Sequence, residues 1–367
     1  MQSRSGAQER VDWVDYAKGW CIILVVMMHS TLGVEESLGR ESWLNDFIDW
    51  ARPFRMPDFF LVGGLFLSRT IDRPWCDYLD RKVLHFVYFF MLWTLIQGAP
   101  KLLFTEGADP LAILHGLAFA MVEPFGTLWF IYLLPIFFVV TKALRRAEVD
   151  VVLFLAAMAQ IAGIETPSTV VDEFASRYVY FYAGYAFAPQ IFAFAERARA
   201  NVRKTIAALF LWGVVNGLAV RYGLAPLPGV SLVLGFVGAA AVVAFSALLA
   251  QARILPVLPA LGARSIVVYL AFFLPMAMTR VALVKSGLNM DAGLMALIVT
   301  ASAISVPLAM RRFTQGTRLE FLFERPAFFR LPREPQRQPL YLKSGDESER
   351  RGDAWPFRRD WEHSTRF

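Results

Sequence analysis

Apolar runs long enough to cross a bilayer dominate this chain, and they leave few folds open to it. A membrane-spanning helix needs about 20 mostly apolar residues. Between charged punctuation the sequence offers ten runs near that length, at 13–33, 54–69, 82–104, 126–144, 149–164, 174–194, 204–222, 229–250, 263–284 and 291–311. Inside a bilayer every backbone N–H and C=O must find a partner within the protein, so such runs specify helices. The second and fifth are short and require tilt or local thinning of the membrane. The stretch 111–123 is apolar but too short to cross, and reads as an interfacial or re-entrant piece. Only 19% of the 367 residues are charged, against about a quarter in a soluble domain. The expected fold class is all-α, a polytopic transmembrane bundle of about ten helices.

Charge sets the orientation. Arg4, Arg10 and Lys18 precede or open the first run; Arg69, Arg73, Arg81 and Lys82 lie between the second and third; Lys142, Arg145 and Arg146 follow the fourth. Alternate loops are acidic or sparse, with Glu35, Glu36, Glu41, Asp46 and Asp49 in the first and Glu106, Asp109 and Glu123 in the third. Under the positive-inside rule this alternation puts both termini in the cytoplasm of an integral, multi-pass protein of the plasma (inner) membrane. An eleventh crossing at 111–123 would turn every later basic cluster outward. The formal charge of +6 is thereby explained by topology, and with no basic stripe carrying interleaved aromatics, nucleic acid is excluded as a partner. No small-residue cleavage site follows the first run, which reads as a retained helix. Residues 1–312 form one transmembrane domain; 313–367, rich in Arg, Glu, Pro and Gln, read as a cytoplasmic polar tail, solvated or partly disordered. Cys21 and Cys76 fall at or near the reducing side and are expected as free thiols.

A charge at bilayer depth costs a few kcal/mol and needs a reason. Asp15, Lys18 and His29 share one stripe of the first helix, and Lys18 lies about 16 Å of helical rise from His29. Lys18 therefore falls near the cytoplasmic surface and His29 in the outer half, on a face that must point into the protein. Asp15 and Lys18 alone also fit a snorkelling pair. Among the four histidines, His29 is the best-placed proton acceptor. In Phe54-Arg55-Met56-Pro57-Asp58-Phe59-Phe60, Arg55 and Asp58 are spaced to pair and are expected at the depth of His29. Gly63-Gly64 permits close helix approach.

Arg10-Val-Asp-Trp-Val-Asp15-Tyr-Ala-Lys18-Gly19 with its run to His29, the Phe54–Phe60 stretch, Gly126-Thr-Leu-Trp129-Phe130-Ile-Tyr132 and Leu261-Gly262…Ser265…Tyr269-Leu270 occur in the order found in the acyltransferase-3 family of membrane O-acyltransferases. The chain resembles that family, its sugar O-acetylase branch in particular. It departs from the pattern at Asp58, normally apolar, at Gly63 and Leu65, where Ser and an aromatic are common, and at Phe272, where many members carry His. The basic motif opening the third helix is degenerate: Leu84 follows three residues after Arg81, and His85 three after Lys82.

The resemblance implies transfer of an acyl group, acetyl above all, from acetyl-CoA or another acyl-CoA to a hydroxyl of a sugar or glycan, without a metal. His29 is the expected general base, with Asp58 or Asp15 orienting it, and Arg55 stabilising an oxyanion or binding acceptor oxygens. Lys18, Arg81 and Lys82 suit the phosphates of CoA. Asp15, Glu123 and Trp129 are expected to contact substrate. The partners implied are acyl-CoA, the glycan acceptor and membrane lipid. A secondary transporter of a small polar or anionic solute suits the helix count as well, although no internal repeat stands out; a non-catalytic scaffold with a partner-binding tail is the third reading.

Overall fold

The computed structural model describes residues 11–105, 110–124 and 126–331. Arg4, Arg10, Glu106, Asp109 and the expected tail beyond 331 lie outside the described residues. In chain order the helices are α1 (Asp12–Leu38), α2 (Leu44–Gly64), α3 (Trp75–Leu79), α4 (His85–Thr105), α5 (Pro110–Ala120), α6 (Trp129–Ala143), α7 (Val149–Ile161), α8 (Thr169–Ala186), α9 (Ala188–Ala200), α10 (Val202–Arg221), α11 (Val230–Ala252), α12 (Val257–Gly262), α13 (Ser265–Ala271), α14 (Phe273–Lys285) and α15 (Ala292–Thr314). A π-helical turn, Asp80–Leu84, joins α3 to α4, and 3-10 turns at Arg318–Leu322 and Ala327–Phe329 follow α15. The described residues are mostly helical, with no strand among them. Helices overlie each of the ten predicted runs. Four of them, α1, α10, α11 and α15, are individually long and apolar enough to cross a membrane, and α13 with α14 makes a fifth if a bent pair counts as one span.

α1 and α10 show the two environments of the bundle. On α10 Phe210 and Leu211 are 75% and 63% exposed, an apolar surface suited to lipid. α1 runs through the centre, packed by α2, α11, α12 and α15. Its contact with α12 is backbone on backbone: a Cβ at Gly19 would collide with the Leu258 carbonyl, and one at Gly262 with the Asp15 carbonyl. Gly64 likewise lies on the Phe181 carbonyl of α8, the close approach that small residues permit between membrane helices.

Several boundaries differ from the runs. The second helix begins at Leu44, ten residues before its apolar run at 54. Hydropathy stops at Arg52 and Asp49, but these two pair with each other at 2.6 Å on the exposed side while Ile48, Ala51 and Phe54 carry the buried face. The run 174–194 is divided between α8 and α9 at Phe187, just ahead of Pro189, which has no N–H to continue α8. The run 263–284 is broken at Phe272, with α13 and α14 inclined at 55°. Pro275 explains the break, since it removes a hydrogen bond to residue 271 and its ring crowds that carbonyl. The stretch 111–123 is mostly α5, whose 11 residues are too few to cross. Lys142, counted among the loop cations, is buried and donates to the Ile71 and Arg73 carbonyls at 2.5 and 2.7 Å, its ammonium over the Tyr78 ring.

Candidate active site

The polar seam of α1 serves two neighbourhoods. Around Lys18, a cavity of about 180 Å³ is walled by Lys18 and Cys21 of α1, Gly63 of α2, Arg81 and Lys82 of the π turn, His85 of α4, Phe130 of α6 and Tyr269 of α13. The four stretches on which the family resemblance rests thus meet at one place. Tyr269 donates its hydroxyl proton to the Thr127 carbonyl and its ring meets Phe130 edge-on at 5.4 Å. Phe59 and Phe60 pack on Phe130 at 4.7 and 4.8 Å. Aromatic faces cradle the cations: the Lys82 ammonium lies 5.1 Å from the Phe138 ring centre and that of Lys18 5.9 Å from Phe66.

A clasp from the C-terminal side holds the turn that presents Arg81 and Lys82. Asp80 receives both carboxylate hydrogen bonds from Arg325 at 2.8 Å, and its backbone carbonyl receives a third at 2.9 Å. The Leu331 N–H adds another to the same carboxylate. Tyr88 and Trp93 of α4 donate to the Phe321 and Leu322 carbonyls, each at 3.0 Å. Of the tail expected from 313 onward, residues 318–331 therefore lie against α4. π turns are uncommon and gather at functional sites; here the turn is pinned at its first residue.

His29 lies beyond the cavity, about 12 Å of helical rise past Cys21. Its ring is 5.7 Å from that of Phe272, at the break between α13 and α14, and Arg55 is close enough for its charge to act on the imidazole. Arg55 is only 8% exposed, yet its Nε and Nη1 have no hydrogen-bond partner. Arg55 and Asp58 do not pair. Asp58, fully buried, accepts a hydrogen bond from the Cys21 thiol, and its other oxygen has no partner. Asp58 is therefore at the depth of Cys21 and not of His29. The expectation fails because α2 starts ten residues early, carrying Asp58 that much deeper, whereas the Arg55 side chain leans back toward the start of its helix and reaches His29's level. Asp15 is also far from His29, about 21 Å of rise away on the same helix. Neither carboxylate orients the imidazole.

Glu123 is committed elsewhere. Its carboxylate accepts from the Thr169 N–H at 2.5 Å and the Ser168 hydroxyl at 2.8 Å, satisfying a first-turn N–H that α8 cannot bond internally. Burial, slight as it is, pushes the Glu123 carboxyl up, but these hydrogen bonds outweigh it and hold the group below the usual carboxylate range. Trp129 opens α6 with its ring 6.1 Å from Phe60. Sequence reasoning misses two polar residues of the cavity, Cys21 and His85; the spacing of His85 three after Lys82 is the signal that finds the second.

These features define a helical membrane protein with a cation-lined cavity at one level of its first helix and a histidine at another. The chain belongs to the acyltransferase-3 family, whose acyltransferase domain matches residues 11–312. It is similar to the inner membrane protein YcfT of Escherichia coli (strain K12), with 26% identity over 42% of this chain and 50% of that protein. It is also similar to the nodulation protein NolL of Sinorhizobium fredii, with 28% identity over 57% of each. The chain thus spans about half the length of these curated relatives. No solved structure matches it.

Proposed function

We propose that the protein transfers an acyl group, acetyl being the expected one, from acyl-CoA to a hydroxyl of a sugar or cell-surface glycan. In this reading the bundle crosses the inner membrane ten times with both ends in the cytoplasm, the location carried by the name of its relative YcfT. The observation that carries the proposal is the arrangement along α1: three cations, Lys18, Arg81 and Lys82, around one cavity, and His29 about 16 Å of rise from Lys18 on the same face. The cations would hold the phosphates of the donor from the cytoplasmic side, and its extended pantetheine arm would lie along the seam toward His29.

The acceptor hydroxyl gives its proton to His29 as its oxygen attacks the thioester carbonyl. The tetrahedral intermediate collapses by breaking the carbon–sulfur bond, and the protonated imidazole returns the proton to the departing thiolate, leaving an ester and free CoA. Asp58 and Cys21 are hydrogen-bonded to each other partway along the route and take no part in the proton transfer. A general base contributes about 10² to 10⁴ in rate. Mass spectrometry of surface glycans from cells producing His29→Ala should therefore show O-acyl groups falling to background with the protein still in the membrane. Wild-type acyl levels would overturn the reading.

A further inference from the structure

Arg55 lies at the start of the seam's outer half, within electrostatic reach of two other guanidiniums, Arg52 and Arg177. Two are matched to carboxylates, Arg52 to Asp49 at 2.6 Å and Arg177 to Glu173 at 2.9 Å. Arg55, the most deeply buried of them and the one whose charge reaches His29, is matched to none and leaves Nε and Nη1 without a partner. A fourth guanidinium comes from the other side. Arg280 of α14 lays its Nη1 against α1 at Gly33, where any Cβ would collide with it. Gly33 is one turn outward of His29 on nearly the same face, about 6 Å of rise away. Among the described residues Arg280 also makes no ion pair. The buried hydroxyls of Ser30 and Thr31, next to His29 in sequence, are unpartnered as well.

A neutral sugar hydroxyl needs a base beside it and could engage Arg55 through the developing oxyanion, but it leaves the second guanidinium, Arg280, with nothing to hold. Keeping the buried Arg55 without a counter-ion is costly, Arg280 is half-buried beside Gly33, and planar guanidiniums are suited to carboxylate and phosphate oxygens. From this we infer that the acceptor is anionic, carrying a carboxylate or phosphate near the hydroxyl that is acylated, and that Arg55 and Arg280, reaching α1 from α2 and α14 within a turn of His29, hold that group. Gly33 is the notch that admits Arg280. The inference rests on the acyl-transfer reading for the word acceptor, but binding of the anion does not depend on chemistry occurring.

Equilibrium binding to the full chain in detergent tests it with three matched oligosaccharides, ending in glucose, in glucuronate or in a glycosyl phosphate. Either anionic probe should bind at least tenfold tighter than the neutral one, and which of the two does so identifies the source of the charge. Arg280→Gln should erase the preference, Arg280→Lys should keep part of it, and Gly33→Ala should weaken it by displacing the guanidinium. Because α14 could loosen in Arg280→Gln, the melting temperature and the binding of acyl-CoA are measured in parallel and should stay within the wild-type range. Equal affinity for all three probes in the wild type, or a preference untouched by Arg280→Gln in a protein that still binds acyl-CoA, overturns the inference. Loss of acyl transfer with the anion preference intact would instead count against the catalytic reading alone.

Discussion

The two neighbourhoods on α1 solve opposite electrostatic problems. At the Lys18 level, three cations and His85 face a cavity with apolar walls, steadied by aromatic rings and by a clasp from the far end of the chain. At the His29 level, Arg55 is embedded in the bundle while Asp49 and Glu173 are committed to Arg52 and Arg177, leaving Arg55 and the half-buried Arg280 without a carboxylate partner among the described residues. The first arrangement suits a ligand that brings several negative charges from solution and then leaves with them. The second suits a single charge and a mobile proton. On the proposed reading, the contrast separates donor binding from proton transfer along one helix, and substitutions should separate them too.

The largest effect is expected at His29. His29→Gln should lower the turnover number by about 10² to 10⁴ while leaving equilibrium binding of acyl-CoA unchanged, which kinetics and calorimetry on the purified protein would check. A comparable loss of donor binding would merge the two neighbourhoods into one. Next comes the donor end: a hydrogen bond to a charged group contributes about 1.5–3 kcal/mol, so Arg81→Ala or Lys82→Ala should raise KM for acyl-CoA by about tenfold to a hundredfold. Neither should alter KM for the acceptor.

The clasp offers a finer test of the same division. Breaking a buried pair typically costs 3–5 kcal/mol. Arg325 and Asp80 side chains are 7% and 17% exposed, and with that access to solvent Arg325→Ala should cost about 2 kcal/mol of stability. Releasing the π turn should also raise donor KM severalfold with little change at saturating acyl-CoA. Exchanging the charges, Asp80→Arg with Arg325→Asp, should restore part of the donor affinity. Affinity that stays lost in the exchanged pair, with wild-type melting, would show that the turn keeps its shape without the clasp.

How much of this was legible in the sequence depends on whether one helix or two are needed to see it. Helix content follows from run length, and the shared face of Lys18 and His29 follows from the period of α1 alone. The depth of Asp58 does not, because it depends on where α2 begins, and a helix start carrying Asp46, Asp49 and Arg52 is invisible to hydropathy. The break at Phe272 is written in Pro275, four residues beyond Ala271, whose carbonyl it displaces. Cys21 and Arg280 carry no such signal. A buried cysteine reads as packing until Asp58 is found against it, and an arginine in a late helix reads as an anchor until Gly33 is seen to make room for it.

The smallest expected effect concerns Glu123, which on this structure belongs to neither neighbourhood and braces the start of α8. Its folded pKa is depressed below the ordinary 4.5 by hydrogen bonds from Thr169 and Ser168, which outweigh a slight opposing effect of burial. A depressed carboxylate contributes stability that is fully present above the unfolded value and is lost as pH falls through the folded one. Glu123→Gln should therefore melt slightly below the wild type at pH 7, and the gap should close as the pH is brought down from 4.5 toward the folded pKa. The group lies near the surface and is only partly buried, so the gap is expected to be small. Acceptor KM should not move. A change in acceptor KM at unchanged melting temperature would return Glu123 to the substrate site and extend the outer neighbourhood as far as the start of α8.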